Sequence, residues 1–402
     1  MTGNPFTYPA WDLVAGTAID TLPYVGVGFG APLNQPGSWQ GALPLASMID
    51  PATHTPRYNY ARATQTANTA LFVDFAGTLI WGGILWSSNY DSADPLKLLK
   101  VGAEEFGSYF HRRLQAADYT ATWAAGADPM VIAQTVCTDA LAKGTIMGGI
   151  TLTLNPAGGE GGPKIAPSYP GTALQTIDSI LSILSQMGYT LGFDYSFDVA
   201  YLPGTRTPGI TLNFWYPRKG RRAEDSQLVL LAKDCTFTYP VDGKQQAISI
   251  TETGGGTAGL TPATAAVALP GYPLLEQTTA RSQVSDEGTL SNITLGDLGL
   301  YCYPVISPTF TVPVTLPDAS GRVPPSAPLA FGTFDRGDDF IFRVDPVAGG
   351  GENTDPRFPD GCQFEWRMNA WQCNVADKGL STVTITAGVP PLATIPPPQP
   401  PL

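Results

Sequence analysis

Carboxylates are the residues best suited by type to do chemistry, and they fall in four groups: Asp91 and Asp94, Glu104 and Glu105, Asp194 and Asp198, and Asp335, Asp338 and Asp339. Two carboxyls facing each other across a cleft can hydrolyse a glycosidic bond, but spacing along a chain does not establish a cleft. Asp194 and Asp198 share one face of a strand whose other face is aromatic, so a solvated sheet face is the simpler reading. The 335–339 group fits a turn ahead of a strand and lacks the spacing of an EF-hand loop, which leaves calcium a minority reading. Arg336-Gly337-Asp338 spells an adhesion tripeptide, a match too short to carry weight.

Other reactive side chains are sparse. His54 and His111 are the two histidines; His111 sits beside Arg112 and Arg113 with no evident Cys or Ser partner, so a structural or surface role is expected. The stretch Gly159-Glu160-Gly161-Gly162-Pro163-Lys164 imitates a phosphate loop, but proline separates glycine from lysine and no Ser or Thr follows, so it reads as a flexible loop. No G-x-S-x-G elbow occurs. Cys137, Cys235, Cys302, Cys362 and Cys373 are odd in number and contain no C-x-x-C, which excludes a zinc ribbon or a dithiol redox motif. Buried free thiols in a chain folded in a reducing cytosol are expected. Eight tryptophans could line a carbohydrate site, but in β domains they more often anchor cores and interfaces. The expectation is therefore no catalytic residue, no cofactor and no metal.

The one basic cluster is Arg218, Lys219, Arg221 and Arg222, readable as a solvated turn or as a salt-bridging edge between subunits. With 22 basic against 34 acidic residues the net charge is −12, which argues against a protein that grips phosphates and suits a wall past which DNA slides.

These residues must be positioned by a mainly β chain. Its 402 residues predict two to four domains, and 44 glycines with 38 prolines leave room for few helices. The start, MTGNPFTYPAW, lacks the basic and apolar regions of a secretory signal, and no apolar run approaches a membrane span, so a soluble protein is expected. LFVDF, a turn at Ala76-Gly77 and TLIWGGILW predict a hairpin, followed by a strand over 96–101 and a helix from about Ala103. Asp128-Pro129 starts a second helix that Gly144 ends, with Ala133, Val136, Cys137, Ala140 and Leu141 as its apolar stripe. Thr172 and Gln175 predict a capping box for a third, with Leu174, Ile177, Leu181 and Leu184 facing inward and Gly188 as its stop. Leu191, Phe193, Tyr195, Phe197, Val199 and Tyr201 alternate strictly, and Ile210, Leu212, Phe214 and Tyr216 do so again after a Pro203-Gly204 turn. That is a second hairpin, whose sheet the segments 228–231, 237–239 and 247–251 are expected to extend. Further on, residues 254–259 read as a hinge, 287–293 as a short helix, and 310–314, 340–344, 363–368 and 381–386 as strands, ahead of a proline-rich tail.

Segments along nearly the whole chain carry a resemblance. FTYPAWDLVAGTAIDTLP, LNQPGSW, and TALFVDFAGTLIWGGILW with the following EEFGSYFHRRL resemble the start of minor tail proteins of actinobacterial siphophages. GYTLGFDYSFDVAYLPGTRTPGITLNFWYPRKGRR and TFTYPVDGKQQAISITETGGG are similar to the second barrel of tail hub proteins, and PLLEQTTARSQVSDEGTL, FDRGDDFIFRVDP and FEWRMNAWQCNVADKGLSTVTIT complete the likeness.

What the resemblance implies is a mainly β fold with small α+β insertions and two tail-tube-like β-barrel domains. The expected division is a first barrel over 1–102, a helical insert over 103–190, a second barrel over 191–256 completed by 362–388, a β-rich insert over 257–361, and the tail 389–402. Three copies would present six barrels and adapt a sixfold tube to threefold parts below it. The expected partners are a distal tail protein, a tape measure protein and other minor tail or fibre proteins, with DNA passing transiently through the lumen at ejection. Such a protein belongs to the virion tail tip and is assembled in the host cytoplasm. With no long extension after Thr386, a fused wall hydrolase or receptor-binding module is not expected. Phe72, Trp81, Trp86, Phe193, Tyr195, Phe197, Phe214, Arg218 and Arg221 are the candidate core and interface residues. Competing readings are a hexameric distal tail ring, a tail-tip carbohydrate or receptor binder and, third, a carboxylate glycosidase or wall peptidase.

Overall fold

A computed structural model describes residues 5–156, 164–186, 192–255, 260–281, 284, 287–315, 329–346, 357–376 and 380–388. The phosphate-loop-like stretch up to Pro163, Gly188, Leu191, the hinge from 256 and the proline-rich tail lie outside them.

The N-terminal quarter supplies β1 (Phe6–Thr7), β2 (Pro9–Asp12), β3 (Ala18–Thr21), β4 (Val25–Pro32), β5 (Ser38–Pro44), β6 (Thr69–Phe75), β7 (Thr78–Tyr90) and β8 (Leu98–Glu105), with one-turn helices α1 (Leu45–Met48) and α2 (Tyr60–Ala63). The β6–β7 hairpin forms where expected. Ala76 and Gly77 both take positive φ, 51° and 95°, as the tight turn that matches strand twist requires. Asp74 Oδ1 accepts the Gly77 N–H at 2.6 Å and fixes that turn.

No α-helix starts at Ala103. Glu104 and Glu105 still pair with β7, and only then does the chain turn, as a short 3-10 helix over Phe106–Arg112. The helix-favouring letters lose to sheet pairing because Phe106 and Phe110 are needed as fully buried plugs beneath the sheet.

Next come α3 (Pro129–Ala142), β9 (Ile150–Asn155), α4 (Ile177–Ser185), β10 (Asp194–Tyr201) and β11 (Pro208–Trp215). Asp128 caps α3 by accepting the Met130 N–H at 2.8 Å, with Pro129 at the first helical position. Ala133, Val136, Cys137 and Ala140 are buried and Leu141 packs beside them. The cap of α4 is Thr176, whose hydroxyl accepts the Ser179 N–H at 3.2 Å, and not Thr172. Residues Gly171–Ala173 form a 3-10 turn and Leu174, with φ 47°, points to solvent.

The β10–β11 hairpin runs in register from Asp194 opposite Trp215 to Tyr201 opposite Pro208. Its other neighbour is β9, parallel to β11 with Ile150 opposite Ile210.

The remaining elements are α5 (Ala223–Ser226), β12 (Val229–Leu231), β13 (Thr236–Thr238), β14 (Val241–Asp242), β15 (Ser249–Gly254), β16 (Ala263–Ala266), β17 (Glu276–Arg281), α6 (Glu287–Tyr301), β18 (Val305–Ile306), β19 (Thr309–Thr315), β20 (Leu329–Ala330), β21 (Asp339–Val344), β22 (Cys362–Asn374) and β23 (Ser381–Gly388). The segments expected to extend the β10–β11 sheet go elsewhere: β12 pairs with β21, β13 with β19, and β15 with β16 and β17. The helix at 287 runs twice as far as its sequence pattern shows.

The protein is mainly β. Among the described residues fifteen strands make one sheet, ordered β13-β19-β23-β22-β4-β5-β8-β7-β6-β2-β3 with β1, β12, β20 and β21 branching from it. The β4–β22 pairing, Phe29 opposite Cys373, fuses the two ends of the chain. The path ends at β3 and β13, and no closed barrel appears among the described residues.

Two cores lie on opposite faces of this sheet, and β6 is buried on both. Leu71, Val73 and Phe75 join Trp39, Trp81, Phe310 and Trp366 in one; Ala70 and Phe72 join α3, α4 and the β10–β11 aromatics in the other.

Candidate functional site: a buried charged seam

The aromatic face of β10 behaves as alternation predicts. Phe193, Tyr195 and Phe197 are buried with Phe72 and Phe214 under α3 and α4. The opposite face does not. Asp194 is buried and Asp198 partly so, because this face meets two loops and the main sheet instead of water. The solvated-face reading of these carboxylates is corrected here.

The turn after β11 and the turn before β21 cross beside β10. Each crosses at a glycine with φ +94°, Gly220 and Gly337. A Cβ on Gly220 would sit 2.0 Å from the Gly337 carbonyl oxygen, so the approach requires glycine on steric grounds as well as by φ. This crossing delivers Arg218, Lys219 and Arg221 from one loop and Asp335, Arg336, Asp338 and Asp339 from the other.

The charges then pair across the junction. Asp194 holds Arg367 of β22 through one oxygen, which also accepts the Lys219 N–H at 2.7 Å. Its other oxygen accepts from Asn34 Nδ2 at 3.0 Å, and Asn34 Oδ1 takes the Tyr195 N–H at 2.7 Å. Lys219 Nζ lies 3.2 Å from Asp198 and 2.7 Å from Asp335, and donates to Ser196 Oγ at 3.0 Å. Arg336 reaches Glu105 at 2.8 Å and donates to the Phe197 carbonyl at 2.6 Å. Glu105 in turn accepts the Gly37 N–H at 2.7 Å. Arg221 forks onto Asp338 at 2.6 and 3.3 Å. Arg218 lies 2.8 Å from Asp339, a contact at ion-pair distance whose angle does not make a hydrogen bond.

The electrostatics follow from burial set against these partners. Burial is the largest influence on Glu105 and holds its carboxyl above the ordinary value despite Arg336. Asp339 is likewise raised by burial, with Arg218, Arg367 and Arg222 opposing. For Asp198 burial also pushes upward, but Lys219, Arg336, Asn213 and Ser196 together outweigh it and its carboxyl is held low. Burial works against the charge of Arg336, and Glu105, Asp198 and Asp335 overcome it.

Such an arrangement orients structure and is poor at catalysis. A general acid needs a carboxyl facing substrate with a free proton position, whereas each of these carboxylates faces a cation of the same protomer. Among the described residues no group of three or more His, Cys, Asp or Glu is placed to hold a metal ion, so the calcium reading of 335–339 has no geometry behind it. Arg336-Gly337-Asp338 is the crossing loop itself, with Arg336 and Asp338 buried, and is not an adhesive tip. Nor is the basic group a solvated turn: Arg218 and Lys219 are buried, and the half-exposed Arg221 is paired with Asp338 within the chain.

Of the other singled-out residues, Trp81 is buried and donates to the Gly30 carbonyl at 3.0 Å. Trp86 is half-buried, donates to Ser108 Oγ at 2.8 Å and lies under the Arg112 guanidinium. His111 Nε2 sits 3.1 Å from Asp178, tethering the 3-10 helix to α4. Glu104 and Asp91 are exposed, and Asp94 at the same β7–β8 tip is partly buried. Sequence reasoning missed Asn34 and Arg367 altogether and met Arg336 only as part of a short tripeptide match. The available signal was a charge inside an apolar strand, Arg367 in FEWRM.

No family model matches the sequence, and no curated protein matches it significantly. Solved structures do match in fold. The chain superposes on the 43 kDa tail protein of prophage MuSo2 from Shewanella oneidensis with TM-score 0.58 at 13% identity, covering 96% of this chain and 97% of that one. A tail protein from Neisseria meningitidis MC58 gives 0.57 at 9% identity, with 96% of each chain covered. Prophage tail protein gp18 from Listeria monocytogenes EGD-e gives 0.51 at 12%, with 94% of each covered. From end to end, this chain has a fold that prophage tail proteins also have.

Proposed function

We propose that the protein is a structural component of a phage tail, the hub protomer that closes the tube at the tip of a long non-contractile tail. The observation that carries this reading is the end-to-end likeness in fold to three tail proteins, over more than nine-tenths of both chains in each case. The seam supports it: its buried charged groups fix one layer against another, as a load-transmitting part needs.

In this reading the sheet has two halves, β1–β8 and the C-terminal strands joined to them through β4–β22, and each half is one barrel-like unit of a ring. Three copies give six units beneath a sixfold tube. The partners are a distal tail protein above, the tape measure protein within, and fibre or spike proteins below, and the hub opens for DNA. The negative net charge keeps the lumen from holding DNA. The role is mechanical and non-enzymatic, in a virion part assembled in the host cytoplasm.

Quantitative mass spectrometry of purified virions tests the stoichiometry. A hub is present at half the copy number of the distal tail ring. Equal copy numbers make this chain the ring component instead, and clearing of host wall in a zymogram would make it an enzyme.

A further inference from the structure

The small module of β15, β16, β17 and α6 has an uncovered apolar end. There the Val267 N–H donates to the Ile248 carbonyl, the Ile248 N–H to the Leu275 carbonyl and the Ala247 N–H to the Tyr301 carbonyl, each at 2.9 Å. These bonds bring together the end of β16, the start of β17 and the end of α6. Val267, Tyr272, Leu274 and Leu300 are exposed at this end, with Leu269 and Tyr301 partly buried beside them. The segments that carry them, 267–275 and 298–304, contain no charged residue. The C-terminal segment starts close by. Ala387 N–H donates to the Pro308 carbonyl at 2.9 Å, and Pro308 lies just past β18, the strand through which the chain leaves the module. Tyr301 is seven residues before Pro308, so it is at most about 25 Å away. Residues 389–402 hold seven prolines among fourteen residues and, like the apolar end, no charge. A polyproline II segment of that length spans about 43 Å, more than the gap requires. Segments of this composition bind surfaces that set tyrosine rings among apolar side chains, because their preformed conformation leaves little entropy to lose.

We infer that residues 389–402 dock on the apolar end of the module in the same protomer, over Tyr272, Leu274 and their neighbours. The docked segment covers side chains that are otherwise open to water. It also ties the module to the end of β23, and so holds it on the main sheet at a second place. The first is the neck, where only Val241 opposite Ile306 and Asp242 opposite Val305 pair. None of this depends on the phage-tail reading.

The test is binding of a fluorescent peptide of residues 389–402 to the full chain and to the chain ended at Gly388, read by anisotropy. A Kd of about 0.1 mM is expected for the shortened chain. For the full chain it is expected to be about tenfold weaker, because the attached segment competes at an effective concentration of about 1 mM. Leu274 is exposed, so Leu274→Ser leaves the fold intact, and in the shortened chain it is expected to weaken binding about tenfold. No binding to the shortened chain, equal binding to both forms, or undiminished binding to the Leu274→Ser chain overturns the inference. A full chain that dimerises where the shortened one stays monomeric overturns it too, since the segment then docks on a second copy.

Discussion

Arg336 Nη1 lies 2.8 Å from Glu105 Oε2, 231 positions away in sequence, with both side chains 4% exposed. The pair ties the end of β8 to the loop before β21, and so ties the N-terminal to the C-terminal part of the sheet at a second place beside the β4–β22 ladder. A buried pair of this kind adds little net stability over an apolar substitute, but losing one member leaves the other as an uncompensated charge.

Arg336→Met is therefore expected to destabilise the fold by about 3–5 kcal/mol, read from urea unfolding. Adding Glu105→Gln recovers part of that loss because the stranded charge is gone. A single variant within about 0.5 kcal/mol of wild type, the range of an ordinary surface substitution, contradicts the seam.

The glycine crossing gives an internal comparison. Gly204 has φ +73° with nothing near its missing Cβ, so Gly204→Ala costs only the left-handed backbone penalty, about 1–2 kcal/mol. Gly220→Ala bears that penalty and also collides with the Gly337 carbonyl, so its melting temperature drops further. Equal losses would mean that the loops part without cost.

The pH response of the seam has two opposing arms. Asp198 is held below its ordinary 3.8, so its contribution is present above that value and is lost as pH falls through the folded titration. Glu105 is held above its ordinary 4.5, so its contribution is present in acid and is lost as pH rises through the folded titration. Asp198→Asn should flatten the acid side of a stability–pH curve, and Glu105→Gln should remove a decline on the side above 4.5. Denaturant midpoints across that range check both signs.

Phe72 is fully buried on the β6 face toward α3 and α4, with the Phe106 ring 5.5 Å from its own. Phe72→Ala is expected to cost about 3–5 kcal/mol and to loosen the helical layer first, which hydrogen exchange would register in α3 before β6. Uniform loss across both elements would mean that the layers do not open separately.

The hairpins and α3 were legible because their signals are local: Ala76-Gly77 between two apolar runs, and Asp128-Pro129 ahead of a helical stripe. The helix at 103 misread helix-favouring letters that sheet pairing overrides through Glu105. Thr172 with Gln175 is the better local capping box, and only the exposed left-handed Leu174 shows that α4 starts at Thr176 instead. The seam itself was hidden. Period-two alternation shows that the two faces of β10 differ, but not that protein covers the polar one. Asp194 and Arg367 lie 173 positions apart, and no local pattern joins them.

The central claim is most directly tested by a cryo-electron reconstruction of the tail tip of the virion that carries this protein. The account predicts three copies closing the tube, each giving two sheet halves to a pseudo-sixfold ring. Six copies in a single ring, or density only at the periphery of the tip, would contradict it.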